Sequence, residues 1–261
     1  MKILKYLKVW WIASKASAFI ELSSRVGMVF FLTGKIVRFG LFFLFLYLLA
    51  TKTSVLAGYT ISQVLFFFLT FNLIDVTSQM LFREVYWFRP QIVTGNFDLV
   101  LSRPVNPLFR SLLGRTDILD LFTLPPLLTL LIIFAIDLNP TPFAIVAYLV
   151  FVVNAFIIAM AFHIAVLALG IVTTAIDHTI MIYRDIMAMG RIPIDFYREP
   201  IRGILTFAIP VGIMMTLPAK VFMGIFEWQI MLYAFLFSGV LLWVSLCFWH
   251  WSLKNYSSAS S

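Results

Sequence analysis

The chain has 261 residues; 62% are Ala, Val, Ile, Leu, Met, Phe, Trp, Tyr or Cys, and only 12% are Asp, Glu, Lys or Arg. That charged share is about half the ~25% of a soluble domain; with 28 Phe and a mean hydropathy of +1.01, the apolar surface exceeds what a water-soluble globule buries, so much of the chain belongs in lipid. A net charge of +7 reads there as orientation signal and anionic-lipid contact rather than nucleic-acid binding, and one cysteine, Cys247, excludes a disulfide framework or a cysteine metal cluster.

Residues 1–25 carry Lys2, Lys5 and Lys8, but Lys15, Glu21 and Arg25 interrupt any apolar core, so the stretch does not read as a cleaved signal peptide. Leu4, Leu7, Trp10, Trp11, Ile12, Phe19 and Ile20 recur at roughly helical spacing between the lysines. This predicts a helix in the headgroup plane; the alternative is a solvated, frayed terminus. The apolar runs Gly27–Ala50, Tyr59–Phe82, Leu121–Ile136 (extendable back through Ile118) and Phe143–Ile176 predict four spans. Ile201–Phe226, interrupted by Pro210 and Pro218, and Trp228–Trp251 follow them. Six crossings at ~20 residues each use about 120 residues, and the rest is divided into short loops and one longer one, none of them long enough for a soluble catalytic domain of ordinary size. No internal repeat appears, and only the serine-rich tail, Ser257–Ser261, reads as disordered.

Lys2 to Arg25 and the segment Arg83–Arg115 hold ten basic residues, whereas the connections Thr51–Gly58 and Asp137–Pro142 hold only Lys52. The positive-inside rule therefore puts the N-terminus and Arg83–Arg115 in the cytoplasm, and six crossings return the C-terminus to the same side. Residues 177–202 admit two topologies. By hydropathy they form a cytoplasmic loop with Arg184, Arg191, Arg198 and Arg202, and Ile201–Phe226 is the fifth span. Alternatively the chain turns near Thr173–Asp177, His178–Ile192 is a short polar span, and Ile201–Phe226 is an outer re-entrant hairpin. Irregular backbone at that depth must be buried in protein or line a cavity.

The segment from Arg83 to Arg110 is divided by Pro90, Gly95–Asn96, Pro104 and Pro107, as short helices and turns require. Phe97, Leu99 and Leu101 are apolar in a polar loop, which calls for a docking partner, either a protein or the bilayer surface. This segment, reading Arg-Glu-Val…Thr-Gly-Asn-Phe-Asp-Leu-Val-Leu…Arg-Pro-Val-Asn-Pro-Leu-Phe, resembles the cytoplasmic segment of ABC type-2 transporter permeases, in the six-span branch of about 260 residues without a fused ATPase. A second match is Gly190-Arg-Ile-Pro-Ile-Asp-Phe-Tyr197 followed by Phe207-Ala-Ile-Pro210 and Leu217-Pro218-Ala219. Here Ile192 replaces an aromatic of the family, and Arg198-Glu199-Pro200 stands where a Pro-Gly pair is common.

The resemblance implies an all-α, six-span polytopic fold, with residues 1–261 as one permease domain. Residues 84–117 would be a cytoplasmic coupling segment for a separate ATP-binding subunit, with Glu84, Arg89, Thr94, Gly95, Phe97, Asp98, Leu101, Arg103 and Pro104 as coupling residues. Residues 193–226 would be the outer re-entrant gate, with Pro193, Asp195, Pro210 and Pro218 as its key positions. Two permeases, identical or paralogous, would enclose the path, and two ATPase copies would bind ATP and Mg in a bacterial inner membrane. Substitution of Phe97 or Asp98 is then expected to uncouple transport while leaving the permease folded.

The chain itself carries no phosphate-cradling loop: its Gly-Lys pair, Gly34-Lys35, is followed by Ile36 inside a predicted span. His163, His178 and His250 are scattered, and no His-Glu-x-x-His or Gly-x-Ser-x-Gly occurs. Lys35 and Arg38 share one face of the first span, and Asp75 in the second would lie at a similar depth, roughly 12–20 Å from the cytoplasmic surface at ~1.5 Å per residue. Such charges pair, line a cavity or snorkel; the expectation is an ion pair from Asp75 to Lys35 or Arg38, the alternative that Lys35 and Arg38 snorkel while the bilayer thins locally. The rival functions are a membrane-embedded lipid-modifying enzyme, which needs a cluster of acids and histidines at one depth, and a passive channel or assembly scaffold.

Overall fold

The computed structural model describes residues 2–52, 58–173 and 176–257, and these are all-helical. Most of the 51–58 connection, residues 174 and 175 of the expected turn, and the tail beyond 257 lie outside the described residues. In chain order the helices are α1 (Lys2–Ser23), α2 (Arg25–Lys52), α3 (Ile61–Leu81), α4 (Phe88–Val93), α5 (Asn96–Leu101), α6 (Pro107–Leu113), α7 (Ile118–Asp137), α8 (Pro142–Thr173), α9 (Ile176–Ala188), α10 (Ile201–Gly203), α11 (Leu217–Phe222) and α12 (Trp228–Lys254). Wide π-turns at Ile204–Ala208 and Gly212–Thr216 join α10 to α11. Helices α2, α3, α7, α8 and α12 are long and apolar enough to cross a membrane.

Local chemistry sets the helix starts. Thr60 and Gln63 form a reciprocal capping box on α3. Asp117 caps α7 by accepting from the Leu119 N–H at 3.1 Å, and Asn106 caps α6 with Pro107 in its first turn. Pro125 and Pro126 sit inside α7 without ending it; the carbonyl of Pro125 is still engaged, accepting from Thr129 Oγ1 at 2.9 Å.

Helices α8 and α12 form the spine. They run parallel, since Phe151 packs on Phe235 at 4.9 Å and, one turn on, Ser238 Oγ donates to Asn154 Oδ1 at 2.6 Å. Buried Ala155, Ala159, Ala161 and Ala168 line α8, small residues that allow close packing between helices in lipid. Two parallel helices in one chain require a return path between them, and α9 supplies it. Asp177 at its start is 3.3 Å from Arg89 beside α3's C-terminal end, while Asp195 just beyond it bonds Tyr59 at α3's N-terminal end.

The broken pair Ile201–Ala208 and Gly212–Phe222 bends by 80°. Phe207 packs on Tyr233 near the start of α12, and Phe222 stacks on Phe66 near the start of α3 at 4.5 Å. Both limbs therefore sit at the Tyr59 end, and the pair is a hairpin rather than a crossing. The hydropathy reading, with Ile201–Phe226 as the fifth span and 177–202 as a loop, is corrected accordingly. Hydropathy misses α9 because the helix hides its apolar side, Ile176, Ile180 and Met187, in the core and leaves its polar residues to dominate the average.

The hairpin fits because Gly190 has no side chain: a Cβ there would lie 2.8 Å and 2.9 Å from Met215 Cγ and Cβ and 3.0 Å from Val211. Gly34 on α2 has nothing within 4 Å of the same position. Gly190→Val should therefore destabilise the detergent-solubilised chain by about 1–3 kcal/mol through overpacking, read as a lower melting temperature. Gly34→Val should leave that temperature nearly unchanged; equal effects at the two sites would contradict this packing.

Candidate functional site

The segment between α3 and α7 is a folded elbow. A 3-10 turn, Arg83–Trp87, leads into α4; Gly95, at φ 73°, makes the left-handed corner into α5. Thr94 Oγ1 donates to the Pro90 carbonyl at 2.7 Å and accepts from Asn96 Nδ2 at 2.8 Å, which fixes that corner. Phe97 is fully buried. Its ring packs edge-on to Phe88 at 5.0 Å and Tyr256 at 5.3 Å, and lies 6.4 Å from Trp249 of α12. The expectation that Phe97 is a docking residue whose loss leaves the permease folded is therefore corrected: it anchors the elbow to its own chain. The apolar surface left outside is Trp87, Val93, Leu99 and Leu101, with Val93 and Leu99 54% and 57% exposed.

Glu84 likewise faces inward. It accepts from Gln91 Nε2 at 2.6 Å and lies 3.3 Å from Arg110 and 3.7 Å from Arg115. Burial pushes its carboxyl up from the ordinary value, against the pull of Arg110, Gln91 and Arg115. Arg89 reaches across to Asp177, Asp98 lies beside Tyr256, and Arg103 is exposed. The Pro104 carbonyl accepts from Lys5 Nζ of α1 at 3.1 Å. Helix α1 continues along this segment through the Ser14–Thr116 hydroxyl pair at 2.8 Å and the Ile118 N–H donating to Glu21 at 3.2 Å. Its Leu4, Trp11, Ile12, Phe19 and Ile20 point outward, an apolar outer face of the kind that lies in a lipid interface.

At the opposite end, Asp195 ties the hairpin to the body. Tyr59 donates to it at 2.8 Å and Lys220 of α11 is 2.7 Å away; burial, then Asp195, raises the Tyr59 hydroxyl above its usual range. Pro193 is buried just before Asp195, Pro210 is buried at the bend, and Pro218 is in the first turn of α11. Glu199 closes the turn that replaces the Pro-Gly pair, accepting from the Gly203 N–H at 3.0 Å and Arg202 Nε at 2.8 Å.

Lys35 takes Asp120 of α7 as its ion-pair partner, not Asp75, so the expected pair from Asp75 to Lys35 or Arg38 does not form. The Asp117 N–H donates to the Met80 carbonyl at 3.1 Å, which starts α7 beside the end of α3 and carries Asp120 up to Lys35. A charge one turn into an apolar run was the signal for that partner. Lys35, Arg38 and Asp75 nevertheless line one cavity of about 570 Å³ between α2, α3 and α7, with Arg191. Arg191 lies over the Phe42 ring at 6.0 Å.

Among the described residues, no three His, Cys, Asp or Glu side chains gather as a metal site. His163 is buried against Phe82 and Tyr183, its Nδ1 2.7 Å from the Ala159 carbonyl. A comparison with known families matches residues 36–260 to the family described as ABC-2 family transporter protein. No curated protein and no solved structure gives a significant match. With its membrane helices, and with that match running from α2 to the end of α12, the chain belongs to the ABC-2 transporter family, as a multi-pass membrane protein.

Proposed function

We propose that residues 1–261 form one permease domain of an ATP-driven exporter in a bacterial inner membrane, with both termini cytoplasmic. A separate ATP-binding-cassette ATPase, in two copies, binds ATP and Mg and docks on the elbow; a second permease, identical or paralogous, completes the path. The observation that carries this reading is the elbow itself. Its inner residues, Phe88 and Phe97, are clamped to α12, while Val93, Leu99 and Leu101 are left exposed. A rigid apolar knob of this kind passes a push from a partner into the helices, because the knob cannot yield without moving α12. The lipid-modifying enzyme finds no support in a gathered acid–histidine cluster among the described residues.

The elbow predicts a division of labour between neighbouring residues. Leu99→Asp should weaken capture of the ATPase subunit by on the order of tenfold or more, the effect of losing an exposed apolar anchor, with the permease still folded. Phe97→Ala should instead lower the melting temperature of the isolated permease, as removal of a buried aromatic typically costs about 3–5 kcal/mol. Pull-down and thermal melts of the two variants check this; undiminished capture by Leu99→Asp would contradict the docking role.

The hairpin is the outer gate in this reading, and the Asp195–Lys220 contact is its latch. The two side chains are 23% and 21% exposed, so the pair is worth no more than about 1 kcal/mol. Asp195→Lys or Lys220→Asp alone should reduce transport by the reconstituted complex several-fold, and the double exchange should restore part of it. Lack of any rescue would argue against the latch.

A further inference from the structure

The cavity between α2, α3 and α7 takes no part in elbow docking or in the hairpin latch. Its volume, about 570 Å³, is that of a ligand site. One wall is aromatic, formed by Phe39, Phe42, Phe68 and Phe122, and the polar side holds Arg38, Asp75 and Arg191. Ile36, Leu41 and Phe45 of α2 line its edge and are exposed on the outer surface of the helix, so the cavity is reached from the side, where lipid surrounds the protein.

Its charge is unbalanced. Lys35 is already matched by Asp120. That leaves two guanidiniums, Arg38 and Arg191, against the single lining carboxylate of Asp75. Among the described residues, neither guanidinium forms an ion pair with a carboxylate. Arg38 is 13 positions beyond the start of α2 at Arg25, about 20 Å along the helix at 1.5 Å per residue, deep in the hydrocarbon. Cations at that depth need a counter-charge, and planar guanidiniums match carboxylate or phosphate oxygens.

We propose that this groove binds an anionic amphiphile, its phosphate or carboxylate between Arg38 and Arg191 and its hydrocarbon chain along the phenylalanine wall. The ligand comes either from the surrounding bilayer, as a resident acidic lipid, or from the exported cargo. Binding is read without nucleotide, so the inference does not rest on ATP-driven export.

The test is native mass spectrometry of the full chain purified in a neutral detergent, with phosphatidylglycerol or phosphatidylcholine of identical acyl chains added. The wild type should retain phosphatidylglycerol in preference, on the order of tenfold. R38Q/R191Q should lose that preference at an unchanged melting temperature, and R38K/R191K should keep part of it. If the double variant does not fold, R38Q and R191Q singly carry the test, each expected to reduce the preference. Adding the ATPase and ATP then separates the sources: retained lipid that is depleted during turnover is cargo, and lipid that stays is resident. Equal retention of the two lipids, or a preference that survives R38Q/R191Q, overturns the proposal. So does loss of permease–permease association in R38Q/R191Q with lipid preference intact, which assigns the guanidiniums to a protein carboxylate.

Discussion

Phe88, Phe97, Trp249 and Tyr256 meet where the elbow touches the end of α12. The four ring pairs, 5.0–6.4 Å between centroids, contribute about 0.5–1.5 kcal/mol each beyond the area they bury, and together they make the elbow part of the helical body. Without them α4 and α5 would be a tether between α3 and α7, and force applied there would dissipate in loop motion. With them, displacement of the elbow displaces α12, which packs along α8 through the Ser238–Asn154 bond. The path continues to the far end: α8 meets the hairpin where Tyr148 packs on Phe222 at 5.3 Å.

Placing charge in a lipid solvent is the second constraint. Near the elbow the molecule resolves it internally, as Glu84 gathers Arg110 and Arg115, Arg83 faces Asp117 and Lys35 faces Asp120. Removing one member of such a buried set typically costs about 3–5 kcal/mol, because the other charge is left without a partner. These pairs hold α2, α7 and the elbow in one arrangement. The groove beside α2 departs from this economy of charge.

Much of this architecture is legible in the residues. The run Gly27–Ala50 became α2, Tyr59–Phe82 became α3, and the backward extension to Ile118 is where Asp117 caps α7. Apolar runs survive as spans because lipid leaves the backbone no partner but itself. The polar return helix α9 is legible in the sequence only as one of two topologies, since a helix sheltered by its neighbours needs no continuous apolar sequence. Site residues were harder. Phe97 stands out in the sequence as an apolar residue in a polar loop, but spacing alone does not tell an inward anchor from an outward knob. Leu99, two positions further, faces the other way because α5 is helical from Asn96. Depth counted from each span's own end pairs Lys35 with Asp75, whereas α7 starts beside Met80 and brings Asp120 to it.

In the proposed role this chain receives mechanical work from a separate ATPase subunit. The most direct measurement is ATP hydrolysis by the full chain purified gently from its native membranes, assayed before and after bound partners are stripped away. The account predicts that hydrolysis leaves with a co-purifying nucleotide-binding subunit and returns when that subunit is added back. Hydrolysis retained by the stripped chain, or a native preparation with no such subunit, would contradict it.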